Sequence, residues 1–169
     1  MKPSSPAPFA GIVISVATRA DASAIHAMLH ALGAALNRAD EVKSSANDIA
    51  RYGFGEAPAF EALVARRSDE PVGFVLYFYE FSTWRGRRGV YVQDLYVADD
   101  LHGSGLGRRL LAVVATRAAS RDARYMRLSV HGGNDHGLGF YERLGFAAPN
   151  EQPLVLEGEA FATLCAAKR

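Results

Sequence analysis

The first regular pattern along the chain is Ile12-Val-Ile-Ser-Val-Ala17, a short β-branched run that reads as a strand. Asp21 then offers an N-cap ahead of Ile25, Met28, Leu29 and Leu32, apolar positions at helical spacing. A polar stretch from Asn37 to Asn47 leads to a short helix near Asp48–Tyr52, which Gly53-Phe-Gly55 is expected to stop. The runs Phe60–Arg66 and Val72–Phe81 flank the turn chemistry of Ser68-Asp-Glu-Pro71, and Val90–Val97 follows a second turn, Arg85-Gly-Arg-Arg-Gly89. Three extended runs joined by turns predict an antiparallel meander.

The pattern changes after Val97. From Gly105 to Ser120, Leu106, Leu110, Val113, Val114 and Ala118 form one apolar stripe with Arg108, Arg109, Arg117 and Arg121 outside it. Tyr125–Val130 reads as a strand parallel to Val90–Val97, because a whole helix lies between them. A short helix over Gly137–Leu144 is closed by Gly145, Leu154–Leu156 is a last candidate strand, and Glu159–Ala167 reads as a terminal helix. Strands gathered around one βαβ crossover predict a mixed, largely antiparallel sheet in an α/β or α+β domain. Residues 1–10, with three prolines in the first eight, are expected to be a flexible leader, and residues 11–169 a single domain.

Composition narrows the function classes. At 169 residues, 49% hydrophobic and 22% charged, the chain suits one domain with a sizeable core. Nineteen basic against eighteen acidic residues leave a net charge of +1, which argues against nucleic acid or an anionic membrane as the main partner. No apolar run approaches the roughly 20 residues of a membrane span, and the N-terminal residues lack the apolar core of a secretory signal, so a cytoplasmic protein is expected. Cys165 is alone, and no acidic or cysteine ligand accompanies His26 and His30, so no metal site is expected.

Candidate chemistry concentrates in Val97–Leu111, a strand end, a glycine-rich turn and the start of an amphipathic helix. Gly103, Gly105 and Gly107 allow positive φ and close approach of a ligand, and the free N–H groups of a helix start suit phosphate oxygens. The segment lacks the Gly-Lys-Ser/Thr ending of a Walker loop, and Arg108 stands where a dinucleotide fingerprint needs its third glycine. A second constellation follows: Asn134, then Phe140-Tyr141, then Gly145-Phe146. In order and spacing the two segments resemble the signatures of the GNAT superfamily of acetyl-CoA-dependent N-acetyltransferases. Tyr52-Gly-Phe-Gly-Glu-Ala-Pro58, Val72-Gly-Phe74, Tyr77-Phe-Tyr79, Trp84 and Gln93-Asp-Leu-Tyr-Val97 are similar, within that superfamily, to the diamine (spermidine/spermine) and thialysine N-acetyltransferases.

The resemblance implies a GNAT-type sheet with the crossover at the cofactor site, and it assigns roles. The backbone of Leu95, Tyr96 and Val97 would pair with the pantetheine arm of acetyl-CoA. His102, Gly103, Ser104, Gly105, Leu106, Gly107 and Arg108 would hold its pyrophosphate, with Asn134 completing the cofactor set. His102 stands where the family usually has Arg or Gln, so either Arg108 or Arg109 compensates or cofactor affinity is reduced. Tyr141 would be the general acid, and backbone N–H groups after Gln93 would polarise the acetyl carbonyl.

Gln93 takes the place of the family's glutamate and cannot accept a proton, so it is expected to orient the acceptor. Strict strand alternation turns Asp94 to the other face, leaving Glu80, His131 or solvent to take the proton. Asp94, Trp84 and Ser82 are expected to contact the substrate. Few carboxylates remain where polyamine binders have them, which favours a smaller diamine-like or amino-acid-like primary amine. Family members of this branch imply a homodimer. Two rival functions stand beside the enzyme: an acyl-CoA-binding sensor with little catalysis, and a protein N-acetyltransferase.

Overall fold

A computed structural model describes residues 11–149 and 153–166. The leader expected over residues 1–10 lies outside them. Five strands, β1 (Ile12–Val16), β2 (Glu61–Arg67), β3 (Glu70–Ser82), β4 (Arg87–Val97) and β5 (Ala123–Leu128), form one sheet in the order 1-2-3-4-5. The first four are antiparallel and β5 joins β4 in parallel, as the expected crossover requires. The helices are α1 (Ala22–Ala35), α2 (Ala46–Phe54), α3 (Leu106–Ala119), α4 (Asp135–Arg143) and α5 (Gly158–Ala166).

The two faces of the sheet carry separate cores. On one, Ile25 and Met28 of α1 and Ile49 of α2 pack on Ala62, Val64, Phe74 and Leu76. On the other, Leu106, Leu110 and Val114 of α3 pack on Leu63, Val75, Tyr77, Val90 and Val92. Alternation along β2 and β3 sends successive residues to opposite cores, which explains why both strands read as nearly continuous apolar runs.

Several boundaries differ from the sequence reading. Asp21 precedes α1 but caps none of its N–H groups; its carboxylate accepts from the Thr18 backbone N at 2.7 Å and pairs with Arg66 of β2. α2 begins two residues before the expected helix, because Ser45 caps it by accepting from Asp48 N at 3.2 Å while Asp48 accepts from Ser45 N in return. Gly53 does not stop α2: the Phe60 ring lies where its Cβ would be, 2.4 Å from the nearest ring carbon, so glycine is required by packing. Pro71 is absorbed into β3 beside a bulge at Val72, which has no partner between Ala65 and Arg66 on β2, a place where a missing N–H is tolerated. The strand expected at Leu154–Leu156 does not form. That segment is exposed and has no regular structure, and among the described residues no strand pairs with the outer edge of β5.

Candidate active site

The site starts where two strands part. β4 and β5 run side by side from Arg88 and Ala123 as far as Val92 and Leu128, and no pairing continues beyond that point. Residues Asp94–Val97 keep their partners Leu76–Gly73 on β3, while their other backbone edge faces no strand among the described residues. An extended ligand can add itself to such an edge through main-chain hydrogen bonds.

A bulge sits at the parting. Leu76 lies opposite Asp94 and Tyr77 opposite Val92, so Gln93 has no partner on β3. The alternation slips by one residue there: Val90 and Val92 belong to the α3-side core, and so do Leu95 and Val97. Tyr96 points to the other core, its ring 6.5 Å from that of Phe74. The strict alternation that seemed to turn Asp94 away from its neighbour's side is therefore broken at this position. Gln93 is exposed, whereas Asp94 is partly buried.

At the end of β4 the chain makes a tight turn over Asp99–Leu101 and enters the glycine loop. Gly105 adopts φ +92° immediately before α3, a conformation that a side chain would strain. Ser104 Oγ accepts from Leu106 N at 3.3 Å, and the N–H groups of Gly107 and Arg108 belong to the first helical turn, which has no intrahelical acceptors. Gly107 has a different reason to be glycine from the one expected. It is helical, and a Cβ there would lie 3.2 Å from Cζ of Phe140, so its absence lets α4 settle against α3.

Of the two arginines that follow, Arg109 turns to β1 and donates to the Ile12 carbonyl at 3.2 Å, leaving Arg108 exposed beside the loop. His102 is not directed into the loop either. Its Nε2 lies 2.9 Å from the Val97 carbonyl, and its ring stacks near that of His136 with centroids 6.3 Å apart.

α4 closes the site from the far side. Asn134 is its N-cap, with Oδ1 accepting from Gly137 N at 2.9 Å. Phe140 and Tyr141 meet edge to face at 5.0 Å, and Phe146 contacts the Tyr141 ring at 5.6 Å. Burial, then the negative charge of Asp94, push the Tyr141 phenol up to about 12. Burial alone pushes the Asp94 carboxyl up to about 6, and among the described residues no cation pairs with it. The two side chains thus sense each other across the parting of β4 and β5.

The structure does not bring every expected residue here. Ser82 pairs with Arg87 at the opposite end of β4, seven residues and roughly 20 Å from Asp94 at the usual strand rise. Trp84, in the same turn, is 100% exposed. Within this chain neither reaches Asp94 or Tyr141, because the long β3–β4 hairpin carries them away from the parting. Glu80 is likewise remote, opposite Gly89 and bonded to Arg127 at 2.6 Å.

Glu61 fixes the far end of α3. It accepts from Tyr77 Oη at 2.9 Å and from Arg117 at 3.3 Å, and pairs with Arg121. Burial disfavours the Glu61 charge, but these three donors outweigh it and hold the carboxyl below its ordinary range. Sequence reasoning placed Arg117 and Arg121 outside the apolar stripe without a partner. Glu61 gave no signal, being some 60 residues away in sequence.

Comparison with known proteins agrees with this geometry. The thialysine N-epsilon-acetyltransferase of Sus scrofa is 33% identical over 144 residues, covering 80% of this chain and 84% of that protein. An L-methionine sulfoximine/L-methionine sulfone acetyltransferase of Pseudomonas aeruginosa is 33% identical over 91 residues, 52% of this chain and 53% of the relative. The solved structure of an integron cassette protein from the mobile metagenome of Vibrio cholerae shares the fold with a TM-score of 0.77 at 20% identity, covering 93% of this chain and 99% of that one. Residues 25–146, which run from α1 through the parted strands and the glycine loop to Phe146, match the acetyltransferase (GNAT) family, and the chain belongs to it as an N-acetyltransferase.

Proposed function

We propose that the protein transfers acetyl from acetyl-CoA directly to a primary amine of a small diamine-like or amino-acid-like molecule, with Tyr141 as general acid and Asp94 as general base. The observation that carries this reading is the parting of β4 from β5, which leaves the backbone edge of Asp94–Tyr96 without a strand partner among the described residues, ahead of the glycine loop. These residues fit the cofactor. The open edge suits an extended amide-bearing arm, and the first-turn N–H groups after Gly105, with exposed Arg108, suit a diphosphate.

When bound, acetyl-CoA supplies the acetyl group, whose bond to the amine nitrogen forms as its bond to sulfur breaks. Asp94, raised to about 6, is ionised near neutral pH yet basic enough to take the amine's proton. Tyr141, raised to about 12, keeps its proton until the departing sulfur accepts it. Gln93, exposed on the bulge beside Asp94, is placed to orient the amine. Asn134 holds α4, and thereby Tyr141, through its cap.

The acceptor class is supported by the relatives named above, whose names specify thialysine and methionine derivatives. The same reading places the chain in the cytoplasm as a homodimer. The exposed Leu154, Val155, Phe161 and Leu164, and the edge of β5 that pairs with no strand among the described residues, support association of two copies. A steady-state assay of CoA release against a panel of diamines and basic amino acids tests the proposal. Turnover that collapses in both Tyr141→Phe and Asp94→Asn supports it, and acetyl-CoA binding without turnover on any amine overturns it in favour of a sensor.

A further inference from the structure

One backbone group on the open stretch of β4 is already engaged. Ala98 N–H donates to the Val72 carbonyl of β3 at 2.9 Å, and Tyr96 and Asp94 stand opposite Phe74 and Leu76 in the same register. Backbone groups alternate sides along a strand, so Ala98, Tyr96 and Asp94 turn theirs to β3 while Val97 and Leu95 turn theirs to the unpaired side. That side therefore offers two donors, the N–H groups of Leu95 and Val97, and two acceptors, their carbonyls. His102 Nε2 lies 2.9 Å from the second of these carbonyls. A carbonyl oxygen only accepts, so Nε2 carries the proton and donates it. No comparable bond to the Leu95 carbonyl exists among the described residues.

The placement of His102 follows from the chain around it. Leu101 N–H donates to the Ala98 carbonyl at 2.9 Å and His102 N–H to the Asp99 carbonyl at 3.1 Å, so the turn after β4 folds back and sets residue 102 beside residue 97. Gly103, at φ +74°, then redirects the chain into the glycine loop. Asp99 Oδ1 stands 3.7 Å from Nε2, beyond hydrogen-bond range but of the sign that favours a donor there. The half-exposed ring lies nearly parallel to that of His136, the second residue of α4, at 6.3 Å between centroids. One imidazole thus reaches from the end of β4 towards the helix that carries Tyr141.

We propose that His102 is a positioning residue for the amide arm of the cofactor rather than a ligand of its diphosphate: by occupying the Val97 carbonyl it closes the outer acceptor of the edge and leaves the Leu95 carbonyl, next to the bulge, to pair with an amide N–H. This rests on the transferase reading above. An arm that adds itself to a strand edge is held by whichever donors and acceptors are free, and a chain with repeated amides can dock one register too far out. The imidazole uses the outer acceptor and stands in front of it, so the edge admits the arm in the register that ends at the bulge rather than about 7 Å farther out. An arginine at the same position would instead bring a spread of donors suited to phosphate.

The test separates arm from diphosphate. Calorimetry measures binding of CoA, and of ADP, which has the diphosphate without the arm, to the wild type, His102→Ala and His102→Gln, and steady-state assays give kcat and KM with acetyl-CoA. His102→Ala is expected to keep ADP binding within about threefold and to lower kcat roughly tenfold with KM for acetyl-CoA nearly unchanged. His102→Gln, whose amide N–H can reach the same carbonyl, is expected to restore most of kcat. By NMR, the His102 Nε2–H resonance is expected to stay at its hydrogen-bonded position when CoA is added. Loss of ADP affinity by about tenfold or more in His102→Ala, a kcat that does not move, or displacement of that resonance by CoA overturns the proposal and leaves the transferase intact. If no amine is acetylated the transferase reading fails instead, and binding then decides: unchanged ADP affinity with a retained resonance in the CoA complex supports His102 on the edge, and the opposite result overturns it.

Discussion

Asp94 lies on β4 where that strand parts from β5, and after burial its ionised carboxylate is what raises the phenol of Tyr141 on α4. Neither is held by a strong partner of its own. Burial moves both upward, the acid to about 6 and the phenol to about 12, so one is charged and the other neutral at the pH of most cells.

A pH profile reads this directly. Because the base works only when ionised, kcat/KM for the amine is expected to fall about tenfold per pH unit below an apparent pKa near the Asp94 value of about 6. Asp94→Asn removes that limb and lowers turnover by about 10²-fold or more. A profile whose acid limb is unchanged in the variant assigns the proton elsewhere.

The same burial has a stability consequence of opposite sign to the catalytic one. The ordinary carboxyl value is 3.8, so between there and about 6 the unfolded chain ionises while the folded protein does not. Above that window the folded state carries an uncompensated charge, and the stability present at lower pH is lost. Asp94→Asn is therefore expected to raise stability at pH 7–8 by on the order of 2 kcal/mol, an advantage that vanishes near pH 4. Urea denaturation at the two pH values measures it.

Tyr141→Phe keeps the ring packing on Phe140 and Phe146 and deletes only the hydroxyl. The expected result is kcat lowered by about 10²-fold with KM for acetyl-CoA within about threefold of the wild type. A parallel rise in that KM would mean that the hydroxyl binds the cofactor.

The two glycines of the loop predict different defects. Gly105→Ala strains a residue at φ +92°, at a cost of about 1–2 kcal/mol, and raises KM for acetyl-CoA. Gly107→Ala pushes on Phe140 from 3.2 Å and displaces α4, so it is expected to lower kcat more than it affects cofactor affinity. Steady-state kinetics on the pair separates these effects.

Glu61→Gln leaves the Arg117 and Arg121 guanidiniums facing a neutral amide. A loss of about 1–2 kcal/mol is expected at neutral pH. Since the Glu61 carboxyl sits below its ordinary range, the wild type loses this contribution only as the pH falls through that lowered value. Denaturation midpoints of the two proteins should differ at pH 7 and draw together as the pH is taken below the ordinary carboxylate range.

Much of this was legible along the chain. The strand and helix patterns located β1 to β5 and α1 to α4 because each apolar stripe does face a core, and the glycine loop was visible because Gly103 and Gly105 do take positive φ. What the sequence hid was register. Nothing in Val92-Gln-Asp-Leu announces a bulge, so strict alternation set Asp94 apart from its neighbour. Ser82 and Trp84 were joined to the site by resemblance, but the length of the β3–β4 hairpin carries them to its opposite end. Gly53 and Gly107 resemble turn glycines in sequence, and each instead makes room for a phenylalanine beyond its own helix, Phe60 and Phe140.

The unpaired residue on β4 also bears on how such a site drifts over generations. Gln93 answers to no opposite strand and lies exposed to solvent, so the sheet places few demands on its identity. An acidic residue can disappear from that position without unfolding the protein, provided the next carboxylate inherits its duty. Folding should then tolerate most replacements at 93, where the cost falls on how the amine is oriented, whereas at 94 replacement spares the fold and removes turnover.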